Sequence, residues 1–264
     1  MNGCGDDGLA SVSCEPCCVA FSNDGSRLAI GARDNLDYIY MNTNLTKGAG
    51  AMNFGNTIIF GDSYSTFKDA VPNGYAVYYT TERELGPNIT DISQTWWFPL
   101  LEKTNANLIV NDSWSGSTIG YTGYGGADTS KTSSFIKRLH NYIENGLFER
   151  EKIDTVLIFG ATNDSWSDAP VGENKYENIT NEDLYYVLPA VCYFLSKVKQ
   201  ALPSANIYLI INTELKEEIS SSMAEAAKHY GITSIALSDI EKDCGHPTVR
   251  GMNQITEQIL NAIS

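Results

Sequence analysis

Histidine and positive charge are both scarce in this 264-residue chain. Lys and Arg total 18 against 32 Asp and Glu, a formal charge of −14, with pI near 4.5. Gripping a phosphate backbone or an anionic lipid surface takes clustered Lys and Arg, so this balance argues against a nucleic-acid partner and against a charged membrane surface. No run of 18 apolar residues occurs, which leaves no helical span to insert into a membrane. The only histidines are His140, His229 and His246, so any imidazole-dependent mechanism must use one of them. The opening residues 1–7 lack both a basic segment and an apolar segment, so no signal peptide is visible. Gly3-Cys4, followed by Gly and acidic residues, fits either a lipoprotein cleavage remnant or a disordered polar start.

What is present is enough apolar material for a core. Hydrophobic residues make up 42% and aromatics 11%, which excludes global disorder. At about 150 residues per domain the length allows one or two domains. The six cysteines are unevenly spread, four of them within the first 18 residues. Cys14-x-x-Cys17-Cys18 lacks a second ligand pair at zinc-site spacing, so a local disulfide or free thiols are favoured over a structural zinc.

Residues 1–53 have no helical period. Val19-Ala20-Phe21-Ser22, then Asn23-Asp24-Gly25, then Arg27-Leu28-Ala29-Ile30-Gly31 reads as strand, tight turn, strand, and 36–40 adds a possible third strand. The stretch resembles one blade segment of a WD-repeat propeller, but no second copy follows to close a ring. It is read as a small β appendage, with 46–52 as its linker to a domain spanning 54–264.

From residue 54 strands and helices alternate. Short apolar runs at 57–60, 107–111, 155–159, 207–211 and 232–237 read as strands. Helices are expected at 96–103, 133–146, 181–201, 214–230 and 247–263. Asn181-Glu182-Asp183 is taken as an N-terminal cap, and Gly231 as a C-terminal stop. Apolar strands separated by helices predict a three-layer α/β/α domain around a five-stranded parallel sheet. Sheets of this kind bind ligands at the carboxyl ends of their strands, and the unusual residues sit in those loops.

The loops read Gly61-Asp62-Ser63-Tyr64-Ser65, then Asn111-Asp112-Ser113-Trp114-Ser115-Gly116-Ser117, then Gly160-Ala161-Thr162-Asn163-Asp164. Asp243-Cys244-Gly245-His246-Pro247 precedes the last helix. Taken singly, each is an ordinary turn. Together, over residues 57–264, they resemble the SGNH (GDSL-type) hydrolase superfamily, whose four blocks supply Ser, Gly, Asn and His. The match is most specific in Gly-Asp-Ser, Gly-x-Asn-Asp and Asp-x-x-His-Pro.

The resemblance implies a flavodoxin-like fold and a serine esterase. Ser63 would be the nucleophile; a serine hydroxyl attacks poorly until a base takes its proton. His246 is the candidate base, and Asp243, three residues earlier, would fix its tautomer and stabilise the imidazolium. The oxyanion donors map onto the backbone N–H groups of Ser63 and Gly116 and the side chain of Asn163. The register at Gly116 is open because its block is longer than a minimal Asn-x-Gly. Losing one such donor typically costs about 100- to 1000-fold in turnover. Ser65 is a rival nucleophile, whereas His140 and His229 read as helical surface residues. The scheme requires no cofactor and no metal, so activity should survive EDTA.

Aromatic residues gather in the same loops. Trp114, Tyr121, Tyr124 and Trp166 are candidate substrate-binding side chains, the two tyrosines lying in the glycine-rich segment 121–126, which is expected to be mobile. Trp96 and Trp97 fit either the cleft or the core. Exposed aromatic faces stack on sugar rings, so an acylated carbohydrate, or another neutral small molecule bearing a short acyl ester, is the expected substrate. No long apolar lid is visible to receive a long acyl chain. Two alternatives stay open: acyl transfer on the same site, and a non-catalytic carbohydrate-binding or attachment module. Composition leans toward a secreted or cell-surface protein, and the oligomeric state is left open.

Overall fold

The computed structural model describes residues 53–82 and 86–264 in full. Before them it describes the backbone of four strands: β1 (Leu9–Cys14), β2 (Cys17–Ser22), β3 (Arg27–Ala32) and β4 (Ile39–Asn42). These pair as consecutive antiparallel neighbours. The linker at 46–52 and the side chains of Cys4, Cys14, Cys17 and Cys18 lie outside the described residues.

The remainder is built on five parallel strands: β5 (Asn56–Gly61), β6 (Asn107–Ser113), β7 (Thr155–Gly160), β8 (Asn206–Ile211) and β9 (Thr233–Ala236). Their spatial order is β6-β5-β7-β8-β9. The strand order therefore reverses beside β5, and in sheets of this kind ligands bind at the carboxyl ends of the strands that flank such a point.

Both faces of the sheet are covered, so its central strands β5, β7 and β8 are apolar with little alternation. Ile58, Phe60, Val156, Ile158, Leu209 and Ile211 point to one side, where α2 (Phe135–Glu144), α5 (Val187–Ala201) and α6 (Glu217–His229) pack. Ile59, Leu157, Phe159 and Ile210 point to the other, against α1 (Trp97–Lys103) and α7 (Val249–Ile263). Short helices α3 (Leu147–Arg150) and α4 (Thr162–Trp166) complete the set. The three-layer α/β/α architecture is the one expected from the alternating pattern.

One helix differs. The segment expected as a single helix over 181–201 is divided: Glu182–Tyr185 forms a 3-10 turn, Tyr186 is extended, and α5 starts at Val187. Pro189 is the cause. Its ring would collide with the carbonyl of Tyr185 in a continuous helix, yet it is harmless in the first turn of one that starts at Val187. Asn181 makes no side-chain cap. The Asp183 carboxylate instead accepts the Thr180 N–H and the Lys175 ammonium, each at 2.6 Å.

Candidate active site

The end of β5 leads into a tight turn that needs glycine at its entrance. A Cβ on Gly61 would lie 2.3 Å from Ser113 Oγ and 2.6 Å from Ser65 Cβ. Asp62 then caps the 3-10 turn Ser63–Ser65 by accepting the Tyr64 N–H at 3.0 Å. Its carboxylate is fully buried. Burial pushes the Asp62 carboxyl up to about 7.

His246 reaches this turn from a two-stranded hairpin, β10 (Lys242–Asp243) and β11 (His246–Pro247). The sequence pattern predicted a plain loop. Both residues of the connection have positive φ, 48° at Cys244 and 78° at Gly245, as a type I′ turn requires. The hairpin carries the imidazole to the nucleophile candidate: His246 Nε2 lies 3.0 Å from Ser63 Oγ. Both side chains are nearly buried, at 8% and 3% exposure. The Tyr64 hydroxyl donates to the Gly245 carbonyl, tying the two turns together.

Asp243 belongs to the same hairpin. It faces His246 across the hairpin register but is exposed to solvent. His246 Nδ1 lies 3.3 Å from the Cys244 carbonyl oxygen. Aromatic rings complete the surroundings. Tyr78 stacks flat on the imidazole, with centroids 3.5 Å apart and planes at 6°, and Trp166 meets it edge-on at 5.9 Å.

Asn163 comes from α4, directly after β7. Its Nδ2 donates to the Ser117 carbonyl at 2.9 Å, and its Oδ1 accepts the Tyr124 hydroxyl at 2.9 Å. Its neighbour Asp164 is buried and accepts the N–H groups of Ile119 and Gly120, which fastens the second loop to the third. Burial raises that carboxyl to about 6. Gly116 turns the second loop at φ 79° and is exposed.

The third block departs from Gly-x-Asn-Asp, because the residue two before Asn163 is Ala161. Ala161 is fully buried with φ 70°, a left-handed conformation that favours glycine. Ala161→Gly is expected to raise stability by about 1 kcal/mol, read as an increase in Tm. A fall in Tm would show that the methyl contacts outweigh the strain.

The remaining candidates separate cleanly. Ser65 is fully buried and its Oγ accepts the Trp96 indole N–H at 3.1 Å, while Trp97 donates to the Ser65 carbonyl at 2.9 Å. Both tryptophans and Ser65 are therefore core. Tyr121 is also buried, at 6% exposure and edge-on to Tyr185, which corrects its expected place among the substrate-facing residues. The glycine-rich segment after it is pinned by the Gly123 N–H to Ala127 carbonyl bond and by a Thr122–Asp128 bridge, where a mobile loop was expected. Trp114, Tyr124 and Trp166 keep exposed or half-exposed rings at the loop edge, Trp114 packed on Tyr75 with centroids 4.2 Å apart. His140 contacts Tyr193 through Nε2 at 3.1 Å, and His229 stacks on Tyr176.

Sequence reasoning missed Tyr78 and Arg138. Arg138 is fully buried behind the loops; it pairs with Asp112 and donates to the Gly61 carbonyl at 3.1 Å and to Ser117 Oγ at 3.2 Å. Its signal was available, since position 138 falls on the apolar stripe marked by Phe135 and Tyr142.

Among the described residues, no group of His, Cys, Asp and Glu is arranged to hold a metal ion, and no helix is long and apolar enough to cross a membrane.

Comparison with known proteins matches residues 56–263 to the family model for GDSL-like lipase/acylhydrolase. A candidate GDSL-like lipase from Bacteroides ovatus is 40% identical, with a TM-score of 0.73 over 79% of this chain and 97% of that one. Another from Bacteroides uniformis is 42% identical, with a TM-score of 0.72 over 79% and 94%. A family two carbohydrate esterase from Clostridium thermocellum, solved with cellohexaose, shares the fold at 16% identity, with a TM-score of 0.54 over 80% and 64%. No curated protein matches the chain.

Proposed function

The chain belongs to the GDSL-like lipase/acylhydrolase family of SGNH hydrolases and is an esterase of that superfamily; on this footing we propose that it removes short acyl groups, acetyl foremost, from a carbohydrate. The observation that carries the proposal is the 3.0 Å contact between Ser63 Oγ and His246 Nε2.

In this scheme His246 takes the Ser63 proton as the hydroxyl attacks the acyl carbon. The Asn163 side chain, with the N–H groups of Ser63 and Gly116, receives the developing oxyanion. Collapse of the tetrahedral intermediate returns the proton from His246 to the leaving alcohol. Water then repeats the sequence and frees the acid. The Cys244 carbonyl holds the Nδ1 proton, Tyr78 fixes the plane of the ring, and Asp243 stabilises the imidazolium from across the hairpin.

Trp114 and Trp166 supply stacking faces for a sugar ring. The negative net charge favours a neutral glycan. A carbohydrate esterase among proteins of the same fold is in keeping with this substrate class. The test is acetate release from acetylated polysaccharides, beside p-nitrophenyl acetate and butyrate. Each added methylene should lower kcat/KM by about 10-fold or more in a closed acyl site, and EDTA should change nothing. Equal rates on acetate and butyrate, with no acetate freed from any glycan, would refute the reading.

A further inference from the structure

Resting on the reading of Asn163 as an oxyanion donor, we propose that Tyr124 is a positioning residue that holds the Asn163 amide in the one orientation able to donate. A carboxamide is nearly symmetric in shape, and a half-turn about its last bond exchanges its oxygen and nitrogen. Only one of the two orientations points N–H groups toward the acyl oxygen. The other would present a carbonyl to the developing negative charge and repel it.

Two neighbours of opposite chemistry decide the orientation. On the nitrogen side stands the Ser117 carbonyl, an obligatory acceptor, 2.9 Å from Nδ2. It occupies one of the two amide hydrogens and leaves the second for substrate. On the oxygen side stands the Tyr124 hydroxyl, which donates to Oδ1 at 2.9 Å. A flipped amide would set its oxygen against the Ser117 carbonyl oxygen.

Tyr124 can act as this restraint because hydrogen bonds close its loop and tie it to the neighbouring turn. The turn from Thr122 to Asp128 closes on itself through the Gly123 N–H to Ala127 carbonyl bond and the Ala127 N–H to Tyr124 carbonyl bond. Its base is fastened to the 3-10 turn by Thr122 Oγ1, which donates to the Tyr185 carbonyl at 2.8 Å, and by the Tyr121 N–H on the Leu184 carbonyl. Gly125 and Gly126, at φ 64° and 76°, permit so tight a reversal. The ring is 48% exposed, so core packing does not explain why a tyrosine stands here. Its hydroxyl does have a partner, and that partner is the candidate oxyanion donor.

The experiment is a double-mutant cycle on p-nitrophenyl acetate, with Tyr124→Phe, Asn163→Ala and the pair. Tyr124→Phe keeps the ring and removes only the donor. It should lower kcat by about 10-fold, the scale of one neutral hydrogen bond, with KM within twofold and the acid limb of the pH profile unmoved. In the Asn163→Ala background the same change should cost nothing, because the group it acts through is gone. A full 10-fold cost in that background would overturn the proposal while leaving Asn163 its role. An unchanged kcat in Tyr124→Phe, or a change in KM alone, would also overturn it. If Asn163→Ala retains full activity, the oxyanion reading fails and this inference falls with it.

Discussion

Ser63→Ala should lower kcat on p-nitrophenyl acetate by roughly 10⁵-fold, and His246→Ala by a similar factor. The two changes together should cost little more than either alone, since each abolishes the same proton-coupled attack. What remains should still exceed uncatalysed hydrolysis, because the oxyanion donors survive both substitutions. The informative contrast is Asp243→Asn. In a triad with a buried acid bonded to Nδ1, that change costs about 10⁴-fold. Here Asp243 is solvent-exposed, and the Cys244 carbonyl lies 3.3 Å from Nδ1. Water screens such a charge, so the loss should be about 10-fold. Nitrophenol release by the four variants decides the matter. Substantial activity in Ser63→Ala would remove it as nucleophile. A loss in Asp243→Asn as deep as in His246→Ala would make the carboxylate the direct partner of the imidazole.

The contrast also shows where sequence patterns carry structural information. Asp-x-x-His reads as a spacing, and a spacing of three allows several geometries. The choice among them was made by positive φ at Cys244, a residue whose identity does not announce that conformation. The parallel sheet was readable because burial on both faces leaves short unbroken apolar runs such as Thr155–Gly160 between helical segments. Helix α7 was readable because Met252, Ile255 and Ile259 repeat at helical spacing. The break before α5 was readable in principle, since Pro189 announces it, but the apolar stripe continues across the break and hides it. Aromatic residues were the least informative. Tyr121 and Tyr124 stand three apart in one glycine-rich segment, yet one is core and the other faces Asn163. Composition alone cannot separate them, because a ring suits either place; the partner of the hydroxyl does.

Arg138→Met should cost about 3–5 kcal/mol of stability, the scale of removing one partner from a buried ion pair. For a domain of about 200 residues this corresponds to a fall in Tm of roughly 10 °C. The reason lies in what Arg138 leaves behind. Asp112 is fully buried, and its other oxygen accepts the hydroxyls of Tyr142 at 3.0 Å and Tyr75 at 3.2 Å. Without the guanidinium, its charge has no compensation in a low-dielectric interior. The pair Arg138→Met, Asp112→Leu should recover part of the loss by removing that charge, and only part, because the two tyrosines then lose their acceptor. Activity should fall in both variants even below their melting temperatures. Arg138 holds the carbonyl of Gly61, two residues before Ser63, and the side chain of Ser117, whose carbonyl receives Asn163. Its guanidinium thus braces the nucleophile turn and the oxyanion loop against each other. Thermal unfolding followed by circular dichroism, alongside kcat at 25 °C, separates the two effects. A single variant within about 1 kcal/mol of the parent would mean that water replaces the guanidinium beside Asp112. A stable double variant with full kcat would mean that the loops hold their geometry without it.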